Sequence, residues 1–372
     1  MAEHDLVDYL VMTRAKGASD LHISAGAAPK MRLHGGLQPL SDKVFSAEET
    51  QKLIYAVMKE TQRARLQHDL ELDFAVDVEN VGRFRANASF ALGAASANFR
   101  FIPSEIPDLS TLGHSPMVEK WCDTRSGLIL ITGTSGSGKS HTLASMAQTI
   151  ANRHNKNIVS IEDPVEFIFQ QGRSLVHQRE VGADTHGFAE AMRSALRQDA
   201  NVIIVGEMRD EETIRTAMTA AETGHLVIGT LHTSDASTAI SRIVDAYPEE
   251  RQRFVCTQIA ATLLGVVCQH LLPGKGMEGL VLASELMVVN MGIASCIRNR
   301  RLPQIAGLIQ IGAADGMHTM DDSLLELLLA DRITLHDALK HATDEQQLLE
   351  HFQLAQKEPR KSWFGRMMGG KK

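Results

Sequence analysis

Residues 133–140 read GTSGSGKS, and what flanks this octet decides the fold. Its terminal glycines permit a tight loop whose backbone N–H groups converge on the β- and γ-phosphates of a nucleotide. Lys139 adds a positive charge and the Ser140 hydroxyl a ligand for Mg2+. The expected cradle comprises Gly133, Thr134, Ser135, Gly136, Ser137, Gly138, Lys139, Ser140 and His141. Ahead of it, 128–132 (LILIT) reads as a buried strand, and 143–150 continues with helical spacing. A Gly/Ser-rich turn that matched by chance would lack this order of strand, loop and helix.

Outward from the octet the same alternation persists. Short apolar runs at 128–132, 158–161, 202–205 and 226–231 are separated by helical stretches, which predicts an α/β fold with a mostly parallel sheet. Ligands of such sheets sit at the carboxyl ends of the strands. The first hundred residues differ. Helices are expected at 5–16 and 47–69 and strands at 21–24, 30–33, 72–77, 82–89 and 97–102, giving a smaller α+β domain over 1–102. Prolines and Gly113 break the pattern at 103–116, read as a linker or hinge. A core over 117–286 and a helical region over 287–356 follow, with helices at 320–331, 334–341 and 344–356.

The 372 residues suffice for two domains, and the net charge of −7 argues against a duplex nucleic-acid binder. Cys122, Cys256, Cys268 and Cys296 form no CxxC pair, so the pattern suggests neither a zinc ribbon nor a disulfide framework. The acidic start, MAEHDLVDYLVM, is unlike a secretory signal, and no apolar run reaches bilayer length. The expectation is a soluble cytoplasmic protein. The segment 357–372 holds six Lys/Arg against one Glu, mixed with Trp363, Phe364, Met367 and Met368. It reads as a solvated tail, with peripheral contact to an anionic membrane as the alternative.

Polar groups cluster at the predicted strand ends. Glu162 and Asp163 follow one strand, placed to polarise water or hold Mg2+. The run NVIIVGE (201–207) ends in Glu207, a Walker B pattern whose carboxylate would hold Mg2+, partly through water, or order the attacking water. The residues alone leave the choice between the two glutamates open. His225 and His232 flank the next strand at opposite ends, too far apart to chelate one metal. Arginines that stabilise phosphoryl transfer can come from another domain or subunit. Arg83, Arg85 and Arg100 lie on strands of the first domain, and Arg193 and Arg197 one helical turn apart in the second.

Taken together, GTSGSGKS, SIEDPVEF (160–167), VHQREVG (176–182), the stretch 191–214 and AAETGHLVIGTLHTSDA (220–236) resemble the secretion ATPase superfamily. The similarity is greatest to its pilus-retraction branch, the PilT and PilU twitching-motility ATPases. ASDLHISAG (18–26) and GRFRAN (82–87) extend it into the first domain. The resemblance implies a PAS-like amino-terminal domain, a RecA-like core, and a homo-hexamer with ATP and Mg2+ at subunit interfaces. Such a ring would act on an inner-membrane platform protein from the cytoplasmic face, possible paralogous partners included, with no nucleic acid. It further implies Glu162 as a candidate general base, Glu207 as the Walker B acid, His225 and His232 as a His box, and Arg83 and Arg100 as arginines reaching a neighbour's nucleotide. Three positions depart from the family pattern: His141 replaces Thr, the stretch 91–93 lacks a glutamine and arginine, and GIASCIRN (292–299) keeps Ile293, Ile297 and Arg298 of the retraction motif but carries Ala294 and Asn299. These departures admit an accessory subunit as the alternative to an autonomous motor. The missing tetracysteine motif argues against an assembly or type II secretion ATPase.

Overall fold

The computed structural model describes residues 5–33, 36–102, 105–276 and 279–357. The basic tail past 357 and the first two residues of the expected linker lie outside them. The chain divides into two compact units, one of Met1–Glu105 with Pro164–Ile168, the other of Ile106–Asp163 with Phe169–Lys372.

The first unit begins with α1 (Leu6–Ala15), whose start is fixed by a reciprocal cap between Asp5 and Asp8. Strands β1 (Asp20–Ile23), β2 (Lys30–Leu33) and β3 (Gly36–Pro39) follow, then α2 (Ala47–Ala56), α3 (Glu60–Asp69), β4 (Glu71–Val78), β5 (Gly82–Ala91) and β6 (Ala94–Ile102). The six strands form an antiparallel sheet in the order β3-β2-β1-β6-β5-β4. Strict alternation along β4 buries Leu72, Phe74, Val76 and Val78. They share a core with Tyr9, Leu10, Phe45, Ile54, Phe84 and Phe99. The single helix expected over 47–69 is two helices. Met58 turns into the core, and the extended Lys59 has its N–H capped by Gln62 Oε1 at 2.8 Å, which starts α3 afresh.

The second unit runs α4 (Pro116–Trp121), β7 (Gly127–Gly133), α5 (Lys139–Arg153), β8 (Asn157–Glu162), β9 (Leu175–Glu180), α6 (Phe188–Ala195), β10 (Val202–Val205), α7 (Glu211–Glu222), β11 (Leu226–Leu231), α8 (Ala236–Asp245), α9 (Glu249–Thr262), β12 (Leu263–Pro273) and β13 (Leu280–Val288). Helices α10 (Met291–Arg298), α11 (Ile305–Gln310), α12 (Met320–Leu329), α13 (Leu335–His341) and α14 (Glu345–Lys357) complete it. The sheet order is β13-β12-β7-β11-β10-β8-β9. All pairs are parallel except β12 with β13. The predicted α/β architecture is therefore present, with β9, β12 and β13 added to the four strands foreseen. Leu272, Val281 and Ala283 at the β12–β13 ends carry α12 through α14, which bury Leu324, Leu325, Leu328 and Leu348. The stretch expected as linker packs on this unit from Ile106 onward: Leu109 is buried, and Ser145 Oγ donates to the Pro107 carbonyl at 2.7 Å.

Candidate active site

Every residue of β7 is buried, so the strand delivers the octet at its carboxyl end with little freedom. Gly133 has φ +145°, and a Cβ there would run into the Ser137 side chain and stand 2.5 Å from the Gln269 carbonyl oxygen. Gly136 and Gly138 take left-handed φ of +79° and +90°. Glycine is required at Gly133 by space and by backbone, and the turn at Gly138 opens α5 directly. Lys139 folds over the loop, its Nζ donating to the carbonyls of Gly133 and Thr134 at 2.8 Å each. The Ser137 hydroxyl is buried with no hydrogen-bond partner. A left-handed glycine turn, an α-helix N-terminus and an ammonium at one loop suit a phosphate chain.

Glu162 ends β8, and Glu207 lies two residues past β10. A Cβ on Gly206 would be 3.1 Å from the Ile161 carbonyl oxygen and 3.2 Å from Glu162 Cα, so the two strand ends touch here. Glu162 is buried and accepts from Ser160 Oγ at 2.6 Å and Gln178 Nε2 at 3.0 Å. Glu207 is paired with Arg209 at 2.7 Å, and His232 Nε2 stands 3.4 Å from its other oxygen. The Arg209 hydrogen bond, against partial burial and helped by the charges of Arg209, His232 and Lys139, holds the Glu207 carboxyl below the usual range. Glu207 is ionised and feels Lys139 through space. A cavity of about 290 Å³ opens beside it, lined by Arg209, His232, Thr233 and Arg242 among others. The structure thus brings together the phosphate loop, Glu162, Glu207 and His232. Thr230 Oγ1 donates to the Gly206 carbonyl at 2.5 Å; Arg209 and Gln178 were not among the residues expected from the sequence. Arg209 had a signal, its place two residues after the Walker B acid.

The remaining expected residues lie elsewhere. His225 sits before β11, its Nδ1 2.9 Å from the Ala220 carbonyl, at the opposite strand end from His232. Arg193 on α6 pairs with Glu190 at 3.3 Å and with Glu212. Arg197 was expected on the same helix, but α6 ends at Ala195 and Arg197 is exposed in the turn beyond. Arg298 is exposed in the last turn of α10, whose inner face buries Ile293, Ala294 and Ile297. In the first unit, Arg83 pairs with Asp77 at 2.9 Å and Arg100 with Asp20 at 2.8 Å. Among the described residues no group of three or more His, Cys, Asp or Glu could hold a metal ion. The available donors at the loop are a hydroxyl and a carboxylate, hard oxygens of the kind that bind Mg2+ together with phosphates.

A buried parallel strand feeding a glycine loop into a helix, with an ionised glutamate at a neighbouring strand end, defines a P-loop nucleotide hydrolase. Comparisons place it further. The family model described as type II/IV secretion system protein matches residues 4–310, and the chain belongs to that family. The type IV pilus retraction ATPase PilT of Pseudomonas aeruginosa is 42% identical over 338 residues, covering 91% of this chain and 98% of that protein. The type IV pilus ATPase PilU of the same organism is 36% identical over 88% of this chain and 86% of its own length. A crystal structure of the pilus retraction motor PilT with bound ADP matches with a TM-score of 0.88 at 43% identity, covering 94% of this chain and all (100%) of that one.

Proposed function

We propose that this protein is an ATP-hydrolysing motor that powers retraction of a type IV pilus, working as a homo-hexamer at the cytoplasmic face of the inner membrane. The observation that carries the reading is the assembled site: the octet with its left-handed glycines, Lys139 over the loop, and ionised Glu207 within reach of His232. The names and coverage of the relatives support the biological process. No described helix is long and apolar enough to cross a membrane, consistent with a motor that pushes on a separate membrane platform protein.

In this reading the backbone of 133–138 and Lys139 bind the phosphates of ATP. Mg2+ would be held by Ser140 and, through water, by Glu207, and it supplies charge neutralisation on the β- and γ-phosphates. Glu162 or Glu207 orients the attacking water and takes its proton. Glu162 is buried and accepts two hydrogen bonds at one oxygen, whereas Glu207 opens on the cavity; the second is the better placed to meet water. His232 steadies Glu207. Arg83 and Arg100 act on the nucleotide of a neighbouring subunit.

A second reading, an accessory subunit docking on a paralogous retraction ATPase, is favoured by His141 in the first turn of α5 and by the hairpin tip Ala91–Leu92–Gly93, which carries no arginine. Turnover by the purified protein separates the readings at the first step. Lys139→Ala should abolish hydrolysis, and Glu207→Gln should lower kcat at least a hundredfold with ADP affinity retained, Glu162→Gln less. Full activity of Lys139→Ala would sink the motor. Negligible turnover by the wild-type hexamer with nucleotide bound would favour the accessory role.

A further inference from the structure

Behind the phosphate loop lies a polar trio, buried Thr142 and Gln269 with partly buried His114, that no step above uses. Thr142, three residues past Lys139 on α5, is 1% exposed. Gln269 on β12 donates from Nε2 to Thr142 Oγ1 at 2.7 Å, and His114 Nε2 stands 2.9 Å from the same hydroxyl and 3.3 Å from the Gln269 amide nitrogen. With the amide donating, the Thr142 O–H is free to donate to His114, and both donors converge on one ring nitrogen. His114 Nε2 is then the acceptor, and a neutral ring would carry its proton on Nδ1, which like Gln269 Oε1 is buried without a hydrogen-bond partner. Burial, with His318 close by, pushes the His114 pKa down to about 4, which keeps the ring neutral at working pH.

The trio reaches both ends of the loop. Gln269 is the register partner of Gly133, and its carbonyl fills the space that a Gly133 side chain would take. Thr142 belongs to the first turns of α5, which also present Lys139 and Ser140. One turn further on, Ser145 Oγ holds the Pro107 carbonyl at 2.7 Å. The stretch 107–114 is thereby strapped along the helix at two points.

We propose that His114, Gln269 and Thr142 form a clamp that fixes the strand end and the helix start of the phosphate loop in mutual register, making His114 a positioning residue for nucleotide binding. The proposal rests on the octet being the nucleotide site. Removing Nε2 leaves two buried donors without an acceptor. Rotation of Thr142 or Gln269 to relieve them shifts the first turn of α5 against Gly133. Binding of the phosphates in the ground and transition states suffers alike, so KM moves and kcat does not.

The test uses the full-length protein, with steady-state ATP hydrolysis and equilibrium binding of N-methylanthraniloyl-ADP. His114→Leu should raise KM and the ADP Kd about tenfold, with kcat within about twofold. His114→Gln, whose amide can meet the Thr142 hydroxyl, should return both constants to within about threefold of wild type. Simple misfolding would do the opposite, lowering apparent kcat by removing active protein and leaving KM unchanged. Should His114→Leu not fold, Thr142→Val, isosteric and without the hydroxyl, should show the same rise in KM. Unchanged KM and Kd in these variants, or a Gln variant no better than Leu, overturns the clamp while an inactive Lys139→Ala leaves the nucleotide site standing. A fully active Lys139→Ala removes the site and the clamp together.

Discussion

Two glutamates in the second unit show how neighbours decide a charge. Glu207 is held ionised by Arg209. Glu285, on β13, accepts the Ala236 N–H at 2.9 Å, yet burial, reinforced by the charges of Asp235 and Asp321, raises its pKa from 4.5 to about 7. An acid whose folded pKa lies above its unfolded value binds more protons in the native state, so stability is lost as pH rises from about 4.5 to about 7. The shift sets an upper bound of about 3 kcal/mol on that loss. Glu285→Gln keeps an acceptor for Ala236 and removes the titration. Urea unfolding at a series of pH values should show the wild type weakening across this window and the variant nearly flat. Equal slopes for both would assign the pH dependence to other groups.

At the scale of the element, the phosphate loop is a backbone conformation before it is a set of side chains. Gly133→Ala places a methyl against Ser137 and the Gln269 carbonyl at φ +145°, so β7 and β12 must part or the turn must change. The expected cost is about 3 kcal/mol of unfolding free energy together with loss of ADP binding, read from chemical denaturation and the binding titration. A variant that melts and binds like wild type would show the loop to be softer than the packing implies. The octet was legible as a glycine-rich motif, and β7, β10 and β11 because each is a short apolar run ending in a turn signal. β12 was not: Leu263 follows Thr262 of α9 with no Gly or Pro between, and an apolar run that continues a helix is ambiguous by periodicity alone. β3 is exposed along its whole length and β9 is a polar edge strand, so neither carries a buried-strand pattern. The site was legible where chemistry was written into consecutive residues. It was opaque where Gln178 and Gln269 came from elements that only the fold brings near.

For the whole molecule, the proposed action of Arg83 and Arg100 on a neighbour's nucleotide requires each to leave its own carboxylate. Arg83 and Asp77 are cross-strand partners, as are Arg100 and Asp20. Each pair has one partner in water and one largely buried: Asp77 is 70% exposed against 18% for Arg83, and Arg100 70% against 9% for Asp20. Water screens the exposed partner of each pair, and a phosphate, carrying more negative charge than a carboxylate, can compete for either arginine. On the proposed hexamer, specific activity should climb with protein concentration. Mixing inactive Lys139→Ala with inactive Arg83→Ala/Arg100→Ala should restore a fraction of turnover, because a subunit of the first kind lends its arginines to a site of the second. A mixture as dead as its components would mean that the arginines act within their own chain. The sheet order bears on how such a subunit is made. β7 finds its two neighbours in β11 and β12, about a hundred residues and more further along the chain, and contacts of such separation form slowly. A ribosome must release the chain well past Pro273 before the loop at Gly133 has walls on both sides, so during synthesis the nucleotide-binding feature becomes competent late, ahead only of the β13 edge, rather than serving as the nucleus of the sheet.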